Sequence, residues 1–272
     1  MRVGIIVILD ERLKENFQKL RALKMNSCQL VCWEERYLTA ETARMIRKEC
    51  EEQGVEITAF WCGWPGPCVW DFYDGQLTLG LVPAEFRFKR LHTLRRGSDF
   101  AKELGVDKLI THAGYIPEDP NHRTYHELIM ALRDLVGYCA QNGQDFLFET
   151  GQETPVTLRR AMEDIGLKNV GVNLDPANLL MYGKANPVDA LDILGPYVLG
   201  VHGKDGEYPA TGHSLGEEKP IGQGRVNYPA FIRRLKEVGY DGDITIEREI
   251  SGPEQERDIV MGKQFLNALG VL

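Results

Sequence analysis

The sequence predicts a single (β/α)₈ barrel that spans residues 1–272. Eight short runs of β-branched and aromatic residues alternate with longer amphipathic stretches along the whole chain, which is typical of parallel strands linked by helices. Eight such units are the number that closes into a barrel, and a chain of 272 residues suits that fold. Because no linker, low-complexity segment or change in composition divides the chain, we expect one domain.

The runs predict strands over residues 2–7, 27–33, 55–62, 108–112, 145–149, 170–175, 198–202 and 243–247. The stretches between and after them predict helices over residues 13–23, 40–53, 84–104, 125–141, 155–165, 187–194, 229–238 and 254–269. Prolines begin several of these helices and glycines such as Gly54 and Gly105 follow them, as expected at helix ends. An open doubly wound sheet is the competing architecture, but the first strand–helix turn lacks the glycine-rich motif of dinucleotide-binding sheets.

One irregular stretch, residues 61–80, is rich in Trp, Pro, Gly and Phe and follows the third predicted strand. It predicts a long loop over the mouth of the barrel. An exposed aromatic loop is also a candidate contact between copies of the chain in a homo-oligomer.

Composition restricts the partners of the protein. The net charge is −8, which opposes the phosphate backbone, so we expect no nucleic-acid partner. No apolar stretch is long enough for a membrane span, and the first strand lacks the features of a signal peptide. The six cysteines show neither Cys-x-x-Cys nor zinc-finger spacing, and they predict small buried side chains in a reducing cytoplasm.

Four consecutive predicted strands end in side chains that can bind a metal. An apolar run precedes Glu149, Asp175, His202 and Glu247 in turn. Active sites of this fold lie at the carboxyl ends of the strands, so these side chains are expected to converge. Each residue alone has a simpler interpretation: a helix cap, a solvated charge or a hydrogen-bonded structural histidine. Four of them on adjacent strands favour the functional interpretation.

Three converging carboxylates repel one another strongly unless a cation lies among them. Oxygen ligands with one imidazole suit one divalent metal ion: Mn²⁺, Mg²⁺, Co²⁺ or Zn²⁺. The sequence therefore predicts that Glu149, Asp175, His202 and Glu247 are metal ligands.

The segments that carry these residues resemble the xylose-isomerase-like barrel superfamily. The matching segments are Phe148-Glu149-Thr150, Asn173-Leu174-Asp175-Pro176-Ala177-Asn178-Leu179-Leu180, Val201-His202-Gly203-Lys204-Asp205, Pro220 to Tyr228, Val238 to Gly242 and Ile246-Glu247-Arg248-Glu249. The resemblance covers nearly the whole chain and is densest from Leu147 to Glu249. It is specific for the fold and the metal site and weak for the substrate.

The resemblance implies a role for each ligand. In the ketose 3-epimerases of this superfamily, the glutamates at the positions of Glu149 and Glu247 bind the metal and exchange protons with the substrate. The residues at the positions of Asp175 and His202 complete the metal shell. Many members have a histidine three residues after the aspartate, where this chain has Asn178. That histidine helps bind a second zinc in the apurinic endonuclease branch, so the difference weakens a multi-zinc interpretation.

Several further residues are candidate substrate contacts. His112, which ends the fourth strand, is a candidate substrate donor or additional ligand, and a capped loop histidine is the alternative. Lys204 and Arg225 could hold a phosphate or sugar hydroxyls, or be surface charges. Asn178 is a candidate contact from its position beside the site. Trp61, Trp64 and Trp70 either stack on a sugar or pack the loop, and stacking is favoured for Trp61 alone.

From the resemblance we expect a divalent-metal-dependent isomerase or epimerase of a ketose or ketose phosphate, acting by proton transfer through an enediolate. The alternative is a metal-dependent lyase or dehydratase on a keto-sugar or cyclitol. An apurinic endonuclease is a weaker alternative because of the net charge and Asn178. A non-catalytic sugar-binding barrel does not need the acid/base pair Glu149 and Glu247.

Overall fold

The computed structural model describes residues 1–271 and confirms the predicted barrel. Eight parallel strands close in the order β1-β2-β3-β4-β5-β6-β7-β10. The strands are β1 (Arg2–Ile8), β2 (Ser27–Cys32), β3 (Glu56–Cys62), β4 (Lys108–Thr111), β5 (Asp145–Glu149), β6 (Val170–Leu174), β7 (Val198–Gly203) and β10 (Asp243–Ile246). The remaining pair, β8 (Asp205–Gly206) and β9 (Glu218–Lys219), forms a small antiparallel ribbon in the loop after β7. The last residue of the predicted domain, Leu272, lies outside the described residues.

The helices surround this barrel. They are α1 (Leu13–Ala22), α2 (Ala40–Gln53), α3 (Gly75–Thr78), α4 (Ala84–Leu104), α5 (Arg123–Gln141), α6 (Pro155–Ile165), α7 (Pro176–Met181), α8 (Pro187–Leu194), α9 (Tyr228–Glu237) and α10 (Pro253–Ala268). All eight predicted helices are present with ends within two residues of the prediction. Helices α3 and α7 and the β8–β9 ribbon are additional to the prediction, because each is too short to show a periodic pattern.

Local capping explains several of the helix boundaries. The hydroxyl of Thr39 accepts a hydrogen bond from the backbone N–H of Thr42 at the start of α2, and Thr154 caps α6 in the same way. Gly54 and Gly105 end α2 and α4 in the left-handed conformation, with φ of 62° and 79°. A side chain with a Cβ atom adopts this conformation at a cost, which is why glycine is preferred there.

Most of the apolar core lies between the barrel and its helices, and it includes fully buried residues such as Phe17, Phe60 and Phe231. A second, smaller cluster joins the strands to the loop after β3 and contains Trp61 and Trp64. This second cluster forms one side of the barrel mouth.

The predicted mouth loop, residues 61–80, is held by the buried guanidinium of Arg90 on α4. Its nitrogens donate hydrogen bonds to four backbone oxygens of the loop: Pro65 at 3.2 Å, Pro67 at 2.8 Å, Thr78 at 2.7 Å and Gly80 at 2.6 Å. Burial lowers the pKa of Arg90 to about 10. The loop therefore has a fixed shape, because one side chain satisfies several of its carbonyls.

Within residues 1–271, no helix is both long and apolar enough to cross a membrane. The six cysteines are free thiols, and Cys28, Cys32, Cys62 and Cys139 are buried.

Candidate metal and active site

The four predicted metal ligands converge at the carboxyl end of the barrel. Glu149 is the last residue of β5, Asp175 follows β6, His202 lies in β7 and Glu247 follows β10. Each offers one ligand atom, and these atoms lie within 4.8 Å of one another. The structure thus brings together all four side chains that the sequence analysis selected.

His202 lies at the centre of this cluster. Its Nδ1 atom is 3.4 Å from Glu149 Oε1, 3.3 Å from Asp175 Oδ2 and 3.1 Å from Glu247 Oε2. Burial alone would lower the pKa of His202, but the charges of Glu149 and Glu247 outweigh burial and raise it well above its ordinary value. One imidazole nitrogen of a fully buried histidine therefore faces three carboxylates.

The other nitrogen of His202 is held by a residue that the sequence analysis missed. His202 Nε2 lies 2.8 Å from Gln29 Oε1, and Gln29 Nε2 donates to Asn173 Oδ1 at 2.9 Å. Because the amide oxygen of Gln29 can only accept, it keeps a proton on Nε2. A metal ion can therefore replace the proton on Nδ1, which the three carboxylates hold there in its absence. Gly200 is required beside this chain of bonds, since a Cβ atom there would lie 2.4 Å from Asn173 Oδ1.

Asp175 is positioned by the start of α7. Its Oδ1 caps that helix by accepting from the backbone N–H of Asn178 at 2.8 Å, while Oδ2 points to His202. Thr150 fixes the backbone of Asp175 through two hydrogen bonds, of 2.8 and 2.9 Å. Burial raises the pKa of Asp175, and the nearby charge of Lys204 opposes that increase.

Glu149 is surrounded by hydrogen-bond donors. Trp61 Nε1 donates to Oε2, Asn178 Nδ2 donates to Oε1 at 3.3 Å, and His112 Nε2 lies 3.4 Å from Oε1. Burial alone would raise the pKa of Glu149, but the charges of His112 and His202 lower it well below its ordinary value. Glu149 is therefore held ionised although it is buried.

Glu247 is paired with Lys204. Lys204 Nζ lies 3.1 Å from Glu247 Oε2 and 3.2 Å from Glu249 Oε1, and it donates to Asn178 Oδ1 at 3.3 Å. Burial would raise the pKa of Glu247, but Lys204 and His202 lower it to about 2. Lys204 is 2% exposed, so the alternative that it is a surface charge is wrong.

The other predicted substrate contacts divide into two groups. His112, Asn178 and Trp61 line a cavity above the cluster together with Glu149 and Glu247. Arg225 does not lie among them: its side chain is 67% exposed and pairs with Glu207 at 2.7 Å in the loop after β7. The structure therefore gives no support for Arg225 as a substrate contact and favours the alternative that it is a surface charge.

The donor set fits a divalent cation. Three carboxylates and one imidazole are ligands that Mg²⁺, Mn²⁺, Co²⁺ and Zn²⁺ accept, and no thiol approaches them within the described chain. A positive charge among these side chains would relieve the repulsion between carboxylates that are buried together.

Comparison with known proteins places the chain in a family. A sequence model of the xylose isomerase-like TIM barrel family matches residues 17–269, and the chain belongs to that family. It is 33% identical to a xylose isomerase domain protein from Planctomyces limnophilus, whose crystal structure superimposes with a TM-score of 0.93 over 98% of this chain and 96% of that one. It is 27% identical to an uncharacterised protein from Methanocaldococcus jannaschii, over 98% of this chain and 88% of that one.

More distant solved structures share the fold. A D-tagatose 3-epimerase-like protein is 23% identical, with a TM-score of 0.77 over 99% of this chain and 97% of its own. Others of this kind are named as ketose 3-epimerases and as a probable dehydratase. The family model confirms the resemblance to the xylose-isomerase-like barrels that the strand-end motifs predicted, and the solved structures share the fold.

Proposed function

We propose that the protein is a divalent-metal-dependent isomerase or epimerase that moves a proton at a carbon next to the carbonyl of a ketose. The observation that carries the proposal is a pair of ionised carboxylates whose ligand atoms belong to one cluster: Glu149, which is buried, and Glu247, which is partly exposed to the cavity. A metal-binding site alone needs no second proton acceptor, whereas epimerisation needs an acid and a base.

The roles of the side chains follow from their contacts. Glu149 and Glu247 lie on β5 and at the end of β10, separated around the barrel by β6 and β7, so each can approach one side of a substrate in the cavity. His202 and Asp175 complete the ligand set. A divalent cation held there supplies positive charge that stabilises the oxyanion formed when the neighbouring carbon loses its proton.

The hydrogen-bond donors around each glutamate determine its ionisation state before a substrate binds. Trp61, Asn178 and His112 keep Glu149 ionised, and Lys204 does the same for Glu247. The glutamate that removes the proton becomes the neutral acid. Because both glutamates are ionised at rest, the other first takes up a proton from solvent and then delivers it to the opposite side of the carbon. Reversing the reaction exchanges these two roles.

The test is solvent-deuterium incorporation. The protein is incubated in D₂O with Mn²⁺ and each of a panel of ketoses, and exchange at one carbon is followed by NMR and mass spectrometry. We expect exchange at the carbon beside the carbonyl together with the epimeric product. A new conjugated carbonyl absorbance with loss of water would instead indicate the lyase alternative. Exchange that is absent from every ketose and ketose phosphate would reject the isomerase or epimerase.

A further inference from the structure

The cavity above the cluster has a volume of about 690 Å³. Its floor carries Glu149, Glu247, His112 and Asn178, and its walls continue to the rim of the barrel. Sites for drug-sized ligands have volumes of roughly 300–1,000 Å³, so this cavity has room for more than a single sugar ring.

The charges that line the cavity are mostly negative. Besides Glu149 and Glu247, Glu249 lies on the wall, and Arg248 is the permanent cation among the lining residues of the described chain. The guanidinium of Arg248 is already paired on two sides, with Asp258 at 2.8 Å and Glu218 at 2.9 Å. It therefore has little charge to offer a ligand.

Lys204 is not free for a ligand either. Its ammonium group lies below the cavity floor, between Glu247, Glu249 and the amide of Asn178. A substrate phosphate needs Arg or Lys side chains, or a free helix N-terminus, to replace its hydration. A divalent cation at the cluster would be engaged by the reacting end of the sugar. A phosphate at the other end would meet Glu249 and the already paired Arg248, and an anion that loses its hydration without a free cation is disfavoured.

A helix N-terminus does lie at the rim, where Ser251 and Gln255 of the α10 region line the cavity. The first turn of α10, however, carries Glu254 and Glu256. These carboxylates already occupy the positive end of the helix and reduce its attraction for an anionic ligand.

The opposite wall is aromatic. Trp33 and Trp70 are 40% and 41% exposed, and both line the cavity together with the buried Trp61. The ring of Trp33 lies 4.9 Å from that of Trp61, and the ring of Trp70 lies 5.2 Å from that of His112, between ring centres. Large apolar faces left open beside a polar floor mark a surface that a ligand covers.

We propose that the substrate is an uncharged sugar derivative with a neutral substituent, either a second sugar ring or an apolar group, that packs against Trp33 and Trp70. Sugar phosphates are disfavoured by the charge of the cavity. The inference rests on the proposed function, which identifies the reacting part of the substrate as a ketose. It adds that the substituent on this ketose is neutral and large enough to reach the tryptophans.

Three ketoses that differ at one oxygen test the inference: D-fructose, D-fructose 6-phosphate and isomaltulose, which carries a neutral glucosyl group in place of the phosphate. Binding to the Mg²⁺-supplemented protein is measured by isothermal titration calorimetry. We expect isomaltulose to bind at least about tenfold more tightly than D-fructose, and the phosphate at least about tenfold more weakly. A 6-phosphate that binds as well as D-fructose overturns the inference, and so does the absence of saturable binding by both neutral sugars.

Substitutions distinguish the contribution of the aromatic wall to isomaltulose binding from the effect of the negative cavity charge on phosphate binding. Trp70→Leu should bring the affinities for isomaltulose and D-fructose to within about threefold, whereas Trp70→Phe, which keeps an aromatic face, should retain most of the preference. Phe88→Leu, at an exposed aromatic residue on α4 outside the cavity, is the control and should change neither. Glu249→Gln should strengthen binding of the 6-phosphate relative to that of D-fructose. Equal preference for isomaltulose in Trp70→Leu and the native protein would contradict the assigned wall.

The two proposals can fail separately. Tight binding of isomaltulose without deuterium exchange into any ketose would reject the proposed function and keep the ligand class. Efficient exchange into a sugar phosphate, in contrast, would keep the isomerase or epimerase activity and reject the inference drawn from the charge of the cavity.

Discussion

Lys204 Nζ lies 3.1 Å from Oε2 of Glu247, a member of the candidate metal cluster, and Lys204 itself is buried beside that cluster. The same ammonium group is 3.8 Å from Asp175 Oδ2 and 3.2 Å from Glu249 Oε1. A single buried cation therefore compensates several carboxylates. This arrangement makes the stability of the site depend on Lys204 when no metal is bound.

We predict that Lys204→Met destabilises the metal-free protein by about 3–5 kcal/mol, because it leaves buried carboxylates without their cation. Adding Mn²⁺ should restore more stability to this variant than to the native protein, since the ion supplies the missing positive charge and binds only the folded state. Thermal unfolding in EDTA and in Mn²⁺ measures both effects.

Lys219→Met is the matched control for this prediction. Lys219 pairs with the exposed Glu217 at 2.7 Å, and surface pairs contribute at most about 1 kcal/mol. Its unfolding should change little, with or without Mn²⁺. If Lys204→Met and Lys219→Met lose the same stability in EDTA, the compensating role of Lys204 is wrong.

The contact of Gln29 with His202 predicts an effect on metal affinity. Gln29→Leu removes the acceptor that fixes the imidazole tautomer, and loss of such a partner typically weakens metal binding by about 10–100-fold. Calorimetric titration with Mn²⁺ should show this loss, and Asp175→Asn or His202→Ala should bind still more weakly. Arg225→Ala, at a surface pair away from the cluster, should bind like the native protein. Unchanged affinity in Gln29→Leu would show that the tautomer is fixed by other contacts.

The sequence predicted the barrel and all four members of the cluster because both follow from periodic signals. Apolar runs define the strands, and the residue that ends a strand of a parallel barrel must face the mouth. Their position at the ends of consecutive strands is what makes the four cluster members recognisable: Glu149, Asp175, His202 and Glu247. The family resemblance then added their roles.

The remaining contacts depend on packing between distant segments. Gln29 is separated from His202 by 173 residues, and nothing in the alternation of β2 distinguishes it from other inward positions. Trp33 could have been predicted as a cavity residue, because it follows β2 at the same end of the barrel as the ligands. Arg225 was selected for its charge, but its partner Glu207 holds it at the surface.

The two glutamates should contribute comparably to turnover. Glu149→Gln and Glu247→Gln keep an oxygen for the metal but remove the proton acceptor, so each should lower turnover by about 10²–10⁴-fold. The double variant should be little slower than either single one, because the two groups act as a unit. Steady-state rates and metal analysis of all three variants check this. Turnover near that of the native protein in either single variant would mean that the substituted glutamate is only a ligand.

Arg90 should stabilise the mouth loop more than any surface contact does. Arg90→Met leaves four carbonyls of residues 65–80 without their donor, and we expect a loss of about 3–5 kcal/mol together with faster proteolysis within the loop. Arg95→Met, on the same helix at an exposed pair with Asp134, should show neither change. Urea unfolding and limited proteolysis provide the measurements. An intact loop in Arg90→Met would show that its aromatic packing is sufficient.

The buried carboxyl of Glu153 should make the free energy of unfolding depend on pH. Its side chain is buried in the loop after β5, and Oε2 has no hydrogen-bond partner in the described structure. Burial raises its pKa from 4.5 to about 7, although the nearby charge of His112 opposes the increase. Below pH 4.5 the carboxyl is neutral in both the folded and the unfolded chain, so it has no effect there. Between pH 4.5 and 7 the unfolded chain loses this proton first, and the folded state is destabilised as the pH rises.

Glu153→Gln should therefore leave the free energy of unfolding unchanged at pH 4.5 and raise it by up to about 3 kcal/mol at pH 8. Chemical unfolding across this range, with the exposed Glu103→Gln on α4 as the control, measures the difference. Parallel stability curves for Glu153→Gln and the native protein would show that the carboxyl of Glu153 is ionised in the folded state as readily as in the unfolded one.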